Sequence, residues 1–241
     1  MAAHCAWPLS LIPAWPELFL RPRVRCSRSI PLKVAVLDYG MGNLRSVSKA
    51  VEHVAPDADV RVTDDHTFIR QADRIVFPGQ GAARDCMAAI GEHHLNQAVQ
   101  DAARTKPFLG ICMGLQVLMQ HSEENGGTEL LGLIPGNVIH FPHDMQYAGD
   151  RLKVPHMGWN EVRQTMQHEL WSGINDEERF YFVHSYFVKP DDLSICSGET
   201  TYGLPFTAAI AKDNLFAVQF HPEKSANAGL RLLKNFIEWE I

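Results

Sequence analysis

The sequence predicts an α/β fold, a mostly parallel central sheet flanked by helices with a smaller antiparallel extension. Three observations carry this expectation. From Lys33 to His121 short apolar runs alternate with amphipathic helical patterns, the order in which β-α-β units lay strands side by side in parallel. After Pro135 the segments shorten and become rich in aromatic and β-branched residues, as antiparallel additions do. The roughly 210 residues from Leu32 onward are long enough for one domain with its own core, and 46% apolar with 21% charged residues is globular usage.

Taken in order, Lys33–Asp38 is the first strand. Asn43–Val54 follows as a helix, because Leu44, Val47, Val51 and Val54 recur on one face. Val60–Thr63 and Arg74–Phe77 are strands, with a helix over His66–Gln71 between them and Asp64-Asp65 as a solvated loop. Helices near Ala83–Ile90 and Leu95–Arg104 lead to a strand over Pro107–Ile111, and a helix over Gly114–His121 comes next. Leu230–Trp239 closes the chain as a helix, and no internal repeat is evident.

Residues 1–31 stand apart. Pro8, Pro13, Pro16, Pro22 and Pro31 break any helix, no apolar stretch is long enough to span a bilayer, and the arginines follow the apolar part where a signal peptide would have them precede it. The expectation is a disordered or overextended segment 1–31 ahead of a domain over 32–241, with translation beginning near Leu32. Net charge is −6, and the body is more acidic than that, since the first 31 residues carry four arginines against one glutamate. An acidic body argues against nucleic acid. The five cysteines are odd in number and scattered, with no Cys-x-x-Cys, which points to a reducing cytoplasm.

Three segments carry chemistry. In Lys106–Gln116 an apolar strand ends in Gly110-Ile111-Cys112-Met113-Gly114 and restarts as a helix. Glycines two residues either side permit a tight strand-to-helix turn that lifts the Cys112 sulfur from the sheet and sets it at a helix N-terminus, where thiolate is favoured. The ordinary alternative is a small core residue. Phe216–Ser225 holds alternating apolar residues that end at His221, with Glu223 two positions on. Strand spacing would put both on one side, the acid orienting the ring and the ring acting as base toward the sulfur. Asp73–Gly81 reads as a buried strand ending in Pro78-Gly79-Gln80-Gly81, whose backbone amides, with that of Met113, would form an oxyanion hole.

Together these motifs resemble the class I, triad-type glutamine amidotransferases. Pro155-His156-Met157-Gly158-Trp159-Asn160, Tyr181–Tyr186 and Leu37–Leu44 narrow the resemblance to the glutaminase subunits of imidazole glycerol phosphate synthase, from about Lys33 to the C-terminus. One departure is mild: Met113 and Leu115 are exchanged relative to the usual order. The resemblance implies glutamine hydrolysis through a thioester on Cys112, with His221 and Glu223 completing the triad. It also implies that Gly81, Gln116, Ser185 and Tyr186 bind the amino-acid end of glutamine, alongside the oxyanion turn Gly79-Gln80. No cofactor is expected, and His93-His94 and His140-x-x-His143 lack metal-site spacing. The implied partner is the cyclase subunit, a (β/α)8 barrel forming a heterodimer and receiving the ammonia. Turns over Tyr39–Arg45, His156–Asn160 and Lys224 are the expected docking face. A glutaminase serving another acceptor (pyridoxal phosphate, anthranilate or guanylate synthesis), a cysteine peptidase and a non-enzymatic scaffold remain as alternatives.

Overall fold

The computed structural model describes residues 31–147 and 150–241. The reading of segment 1–31 therefore falls, up to residue 30, outside the described residues. The strands are β1 (Lys33–Leu37), β2 (Asp59–Thr63), β3 (Arg74–Gly79), β4 (Phe108–Cys112), β5 (His121–Ser122), β6 (Thr128–Glu129), β7 (Gly136–His140), β8 (Gln146–Tyr147), β9 (Asp150–Arg151), β10 (His156–Gln164), β11 (Glu178–His184), β12 (Tyr186–Pro190), β13 (Cys196–Tyr202), β14 (Leu204–Lys212) and β15 (Leu215–Val218). The helices are α1 (Leu44–Val54), α2 (His66–Gln71), α3 (Ala83–Glu92), α4 (Asn96–Thr105), α5 (Met113–Gln116) and α6 (Ala226–Glu238).

Strands β2, β1, β3, β4 and β15 run parallel, each paired with the next. β14 then reverses against β15, and β12 and β7 continue beyond it. A wing leaves the sheet where β13 pairs with both β14 and β10, and β10 carries β11 on its other edge. The alternation legible in the sequence divides the core in two. Val34, Val36, Val76, Leu109, Ile111, Phe216 and Val218 point to the side covered by α1 and α6, through Val47, Val51, Leu232 and Phe236. Ala35, Leu37, Ile75, Phe77, Phe108 and Ala217 point to the other side and meet Phe68, Ile90, Val99 and Leu115 from α2 to α5. Both faces are apolar because both are covered, and each fully buried aliphatic or aromatic side chain contributes about 1.5–3 kcal/mol. Among the described residues no helix is long and apolar enough to cross a membrane.

Asp64-Asp65 is an exposed loop, as expected, and Asp65 has a further part: its carboxylate accepts a hydrogen bond from the Thr67 amide at 2.8 Å and caps α2. One expectation is corrected here. The helix expected over Gly114–His121 is only the single turn of α5. Residues Met113 to Met119 are buried on all sides, and the loop that leads to β7 claims their carbonyls. Leu131, Gly132 and Ile134 amides donate to the carbonyls of Val117, Met119 and Leu118 at 2.8–3.0 Å. The i→i−4 ladder itself stops because the Leu118 and Met119 amides bond one residue short, to Leu115 O at 3.2 Å and Gln116 O at 3.1 Å, and the Gln120 amide donates to Gly136 O at 3.1 Å.

The β10–β11 wing is locked by two imidazoles. His156 and His184 are register partners, buried, with His156 Nδ1 3.0 Å from His184 Nε2. The chain's ends dictate its direction. The Tyr186 carbonyl only accepts, so His184 Nδ1 donates to it at 2.7 Å and His184 Nε2 is the acceptor. His156 Nδ1 therefore donates, and His156 Nε2 accepts from Asn160 Nδ2 at 3.3 Å. Both rings must be neutral for every bond to be met. Burial pushes His156 down to about 4 and His184 to about 3, the latter with help from His156 and His221.

Stability should consequently fall with acid. Above the ordinary histidine value of about 6.5 both states hold neutral rings; below it the unfolded chain takes up protons that the folded chain refuses, until the folded values are reached. The expected loss is on the order of 3 kcal/mol per ring between about pH 6.5 and 4. Urea midpoints across that range measure it. His156→Asn should be less stable at neutral pH, having lost its stacking on Phe182 and Tyr202, yet show a shallower pH slope. An undiminished slope in the variant would contradict the assignment.

Candidate active site

Three parallel strands end side by side. Gly79 at the end of β3 is the register partner of Cys112 at the end of β4, and Val218 at the end of β15 partners Ile111. The glycine turn, the cysteine and the segment leading to His221 thus leave the sheet along one carboxyl edge, where open α/β sheets place their ligands.

Cys112 has φ 56° and ψ −108°, a conformation that costs a residue with a side chain about 1–3 kcal/mol. Packing around it holds the bend. A Cβ on Gly114 would lie 1.8 Å from the Phe77 carbonyl oxygen, and one on Gly110 would lie 2.8 Å from Ala217 Cβ and from the Gly114 oxygen. The flanking glycines are therefore demanded by close approach, while the strained angle sits on the cysteine itself. Since α5 is one turn long, the helix dipole invoked from the sequence is that of a single turn. The cationic partner for sulfur comes from another segment.

That partner is His221. Its Nδ1 lies 2.9 Å from Glu223 Oε1, and the two side chains are 2% and 1% exposed. The geometry differs from the strand spacing expected: β15 ends at Val218, and residues Pro222–Lys224 form one turn of 3₁₀ helix that swings the carboxylate back onto the ring. The turn is pinned to β11. His221 N donates to Tyr181 O at 2.9 Å, Tyr181 N donates to Ser225 Oγ at 3.0 Å, and Ser225 Oγ donates to His221 O at 2.6 Å. Burial opposes a charge on His221, but Cys112 and Glu223 together outweigh it and hold the ring up at about 10. His221 Nε2 is buried without a hydrogen-bond partner in the protein, which leaves it for a reacting group.

The turn after β3 is gripped from beneath. Tyr39 Oη donates to Pro78 O at 2.9 Å, and Cys86 Sγ to Gln80 O at 3.4 Å. Burial pushes the Tyr39 phenol well above its usual value and the Cys86 thiol up to about 12, so both remain protonated donors. Above, the β1–α1 loop rests on the turn. A Cβ on Gly42 would sit 3.4 Å from Gly79 Cα and 3.7 Å from the Gln80 nitrogen, and one on Gly81, at φ 101°, would sit 2.8 Å from Met41 Cε.

These elements enclose a cavity of about 450 Å³ lined by Gln80, Gly81, Cys112, Met113, Gln116, Ser185, Tyr186 and His221. Two expected site residues stand back from it. Glu223 lies behind His221, and Gly79 lies under the turn, where a Cβ would come 2.2 Å from Tyr39 Oη and 2.8 Å from Met113 Cβ. Gln116 lines the cavity, but its Nε2 is spent on Tyr186 O at 3.1 Å and Gln219 Oε1 at 3.0 Å. The expected docking turns are corrected in part: Tyr39 and His156 are buried, leaving Gly40, Gly42 and Arg45, together with Met157 and Trp159, on the surface.

Sequence reasoning missed Glu124, His184 and Gln219. Glu124 lies in an acidic run that reads as solvated; its Oε2 accepts from the Ala83 amide at 2.6 Å, and the residue lines the cavity. His184 lines the cavity as well. Gln219 is fully buried in an otherwise apolar run, and that polar intrusion between Val218 and Phe220 was the available signal.

A family model described as glutamine amidotransferase class-I matches residues 35–239. An imidazole glycerol phosphate synthase subunit HisH of Thiobacillus denitrificans is 62% identical over 208 residues, covering 86% of this chain and 91% of that protein. Another, of Dechloromonas aromatica, is 60% identical over 209 residues, covering 86% and 96%. The solved structure of PurLQS from Thermotoga maritima aligns with a TM-score of 0.65 at 16% identity over 87% of this chain and 99% of that one, a likeness of fold. The chain belongs to the class-I glutamine amidotransferases and, within them, to the HisH subunits of imidazole glycerol phosphate synthase.

Proposed function

We propose that this chain hydrolyses glutamine to glutamate and ammonia through a thioester on Cys112. The ammonia passes to a (β/α)8 cyclase partner, which makes imidazole glycerol phosphate and an aminoimidazole carboxamide ribotide in histidine biosynthesis. The observation that carries the reading is the convergence on one cavity of a strained, buried cysteine and a histidine whose far nitrogen is held by a carboxylate.

The steps follow from the parts. The Cys112 thiolate attacks the side-chain amide carbon, forming a C–S bond and an oxyanion held by backbone amides near Gln80 and Met113. As the intermediate collapses, the C–N bond breaks and protonated His221 passes a proton to the departing ammonia. Water enters, His221 Nε2 takes its proton, and hydroxide displaces the thiolate to give glutamate. Glu223 keeps the imidazole oriented and stabilises its charge throughout. Gly81, Gln116, Ser185 and Tyr186 receive the amino-acid end of glutamine, and the Glu124 carboxylate complements its ammonium. The catalytic domain spans residues 32–241 and works in the cytoplasm, where the thiol stays reduced.

Ammonia released to water is protonated and lost as a nucleophile, so discharge into a closed partner is the chemical reason for a heterodimer. The exposed Met157 and Trp159, with the β1–α1 loop and Lys224, form the face we assign to the cyclase. A glutaminase for pyridoxal phosphate or anthranilate synthesis would carry the same triad; the names of the relatives favour the imidazole glycerol phosphate reading.

Cys112→Ala should abolish glutamine-dependent synthesis by the complex and leave synthesis from added ammonium salts intact. Glutamine-dependent turnover near the parent's would remove Cys112 as nucleophile.

The contact of Gly42 and Met41 with the oxyanion turn gives a partner bound at the β1–α1 loop a direct hold on the donors. Glutamate release should be very slow for the chain alone and rise by about 10³-fold with cyclase plus its nucleotide ligand, which needs only ~4 kcal/mol of differential stabilisation. Equal rates for the chain alone, with cyclase, and with cyclase plus ligand would contradict this coupling.

A further inference from the structure

Gln219 is fully buried, one residue past the end of β15 and two before His221. A primary amide sealed from water is retained where its bonds are met, so its partners are informative. Its backbone amide donates to Ala208 O at 2.8 Å, fixing the chain. Its side-chain oxygen accepts from Gln116 Nε2 at 3.0 Å, and its side-chain nitrogen lies 3.7 Å from Cys112 Sγ, within reach of an N–H to sulfur bond.

The orientation of that amide is dictated by the fold. The Tyr186 carbonyl only accepts, and it takes one bond from His184 Nδ1 at 2.7 Å and a second from Gln116 Nε2 at 3.1 Å. Gln116 must therefore turn its NH₂ toward Tyr186, and the remaining hydrogen of that group meets the oxygen of Gln219. With its oxygen so committed, Gln219 presents N–H, not a lone pair, to the sulfur. Flipping Gln219 would set NH₂ against NH₂; flipping Gln116 as well would set carbonyl against carbonyl at Tyr186. The donor is aimed by a backbone group that cannot change its role.

We propose that Gln219 is a further catalytic residue of the glutaminase, its amide N–H bonded to the Cys112 sulfur, holding the sulfur for attack and meeting the charge that returns to it when water breaks the thioester. The proposal rests on the reading of Cys112 as nucleophile. His221 supplies the proton traffic on one side of the sulfur; Gln219 supplies a fixed, uncharged donor that exchanges no proton.

The test uses the full chain in complex with its cyclase. Gln219→Glu keeps an oxygen for Gln116 and replaces the donor toward sulfur by an acceptor; Gln219→Met removes both bonds without introducing charge. Each variant should lower kcat with glutamine by about 10-fold or more while KM stays within about threefold. Alkylation of Cys112 by iodoacetamide, followed by peptide mass, should slow by a similar factor. Thermal melting reports folding, and the methionine variant is read if the glutamate variant does not fold. A folded variant that alkylates at the parent's rate, or that raises KM with kcat unchanged, would overturn the proposal. Retained glutamine turnover in Cys112→Ala would instead overturn the nucleophile assignment, so the two failures are distinguishable.

Discussion

The site depends on backbone approaching backbone where β3 and β4 leave the sheet. Gly114 presses on the Phe77 carbonyl so closely that a methyl group there would lie 1.8 Å from the oxygen, and one on Gly110 would lie 2.8 Å from Ala217 Cβ. Because the chain after Cys112 must turn back over β3 within two residues, the cysteine is forced to φ 56°. The same approach brings the start of α5 against the turn of β3: a Cβ on Gly79 would lie 2.8 Å from Met113 Cβ and 3.3 Å from the Gly114 nitrogen. Cys112 and the glycine turn are thus positioned together by packing between neighbouring strands.

Buried histidines in this fold divide by what faces them. His221 has a carboxylate on one nitrogen and a thiol nearby, and is held up at about 10. His156 and His184 have only an amide, a carbonyl and each other, and are driven to about 4 and about 3. The two environments meet at the cavity, since His184 lines it and its Nδ1 bonds the Tyr186 carbonyl that also orients Gln116. One imidazole is held protonated while two are held neutral, so the hydrogen bonds of the cavity wall around His184 and Tyr186 are independent of the charge on His221.

Much of this was legible in the sequence because it is written in period and punctuation. Short unbroken apolar runs in Lys33–Leu37, Arg74–Phe77 and Phe108–Cys112, separated by helical patterns, announce buried parallel strands, and the glycines around Cys112 announce the elbow. What escaped was set by contacts remote in sequence. The length of α5 is decided by the tightened bonds of the Leu118 and Met119 amides and by Gly136, which takes the Gln120 amide, and the pairing of His221 with Glu223 comes from a 3₁₀ turn pinned to Tyr181 and not from strand spacing. Gln219 shows in the sequence only as a polar intrusion into an apolar run, and Glu124 only as one acid beside another; both acquire meaning only when Cys112 and the cavity stand beside them. His156 is expected on the docking face with the rest of His156–Asn160, yet strand alternation turns it inward to its imidazole partner 28 residues away.

The central claim is covalent chemistry at one sulfur. Acid quenching of the complex during turnover of isotopically labelled glutamine, followed by proteolysis and mass analysis, tests it most directly. The account predicts a labelled glutamyl adduct on the peptide containing Cys112 and none on those containing Cys86 or Cys196. Steady turnover with no adduct at Cys112, or with the label on another residue, would contradict it.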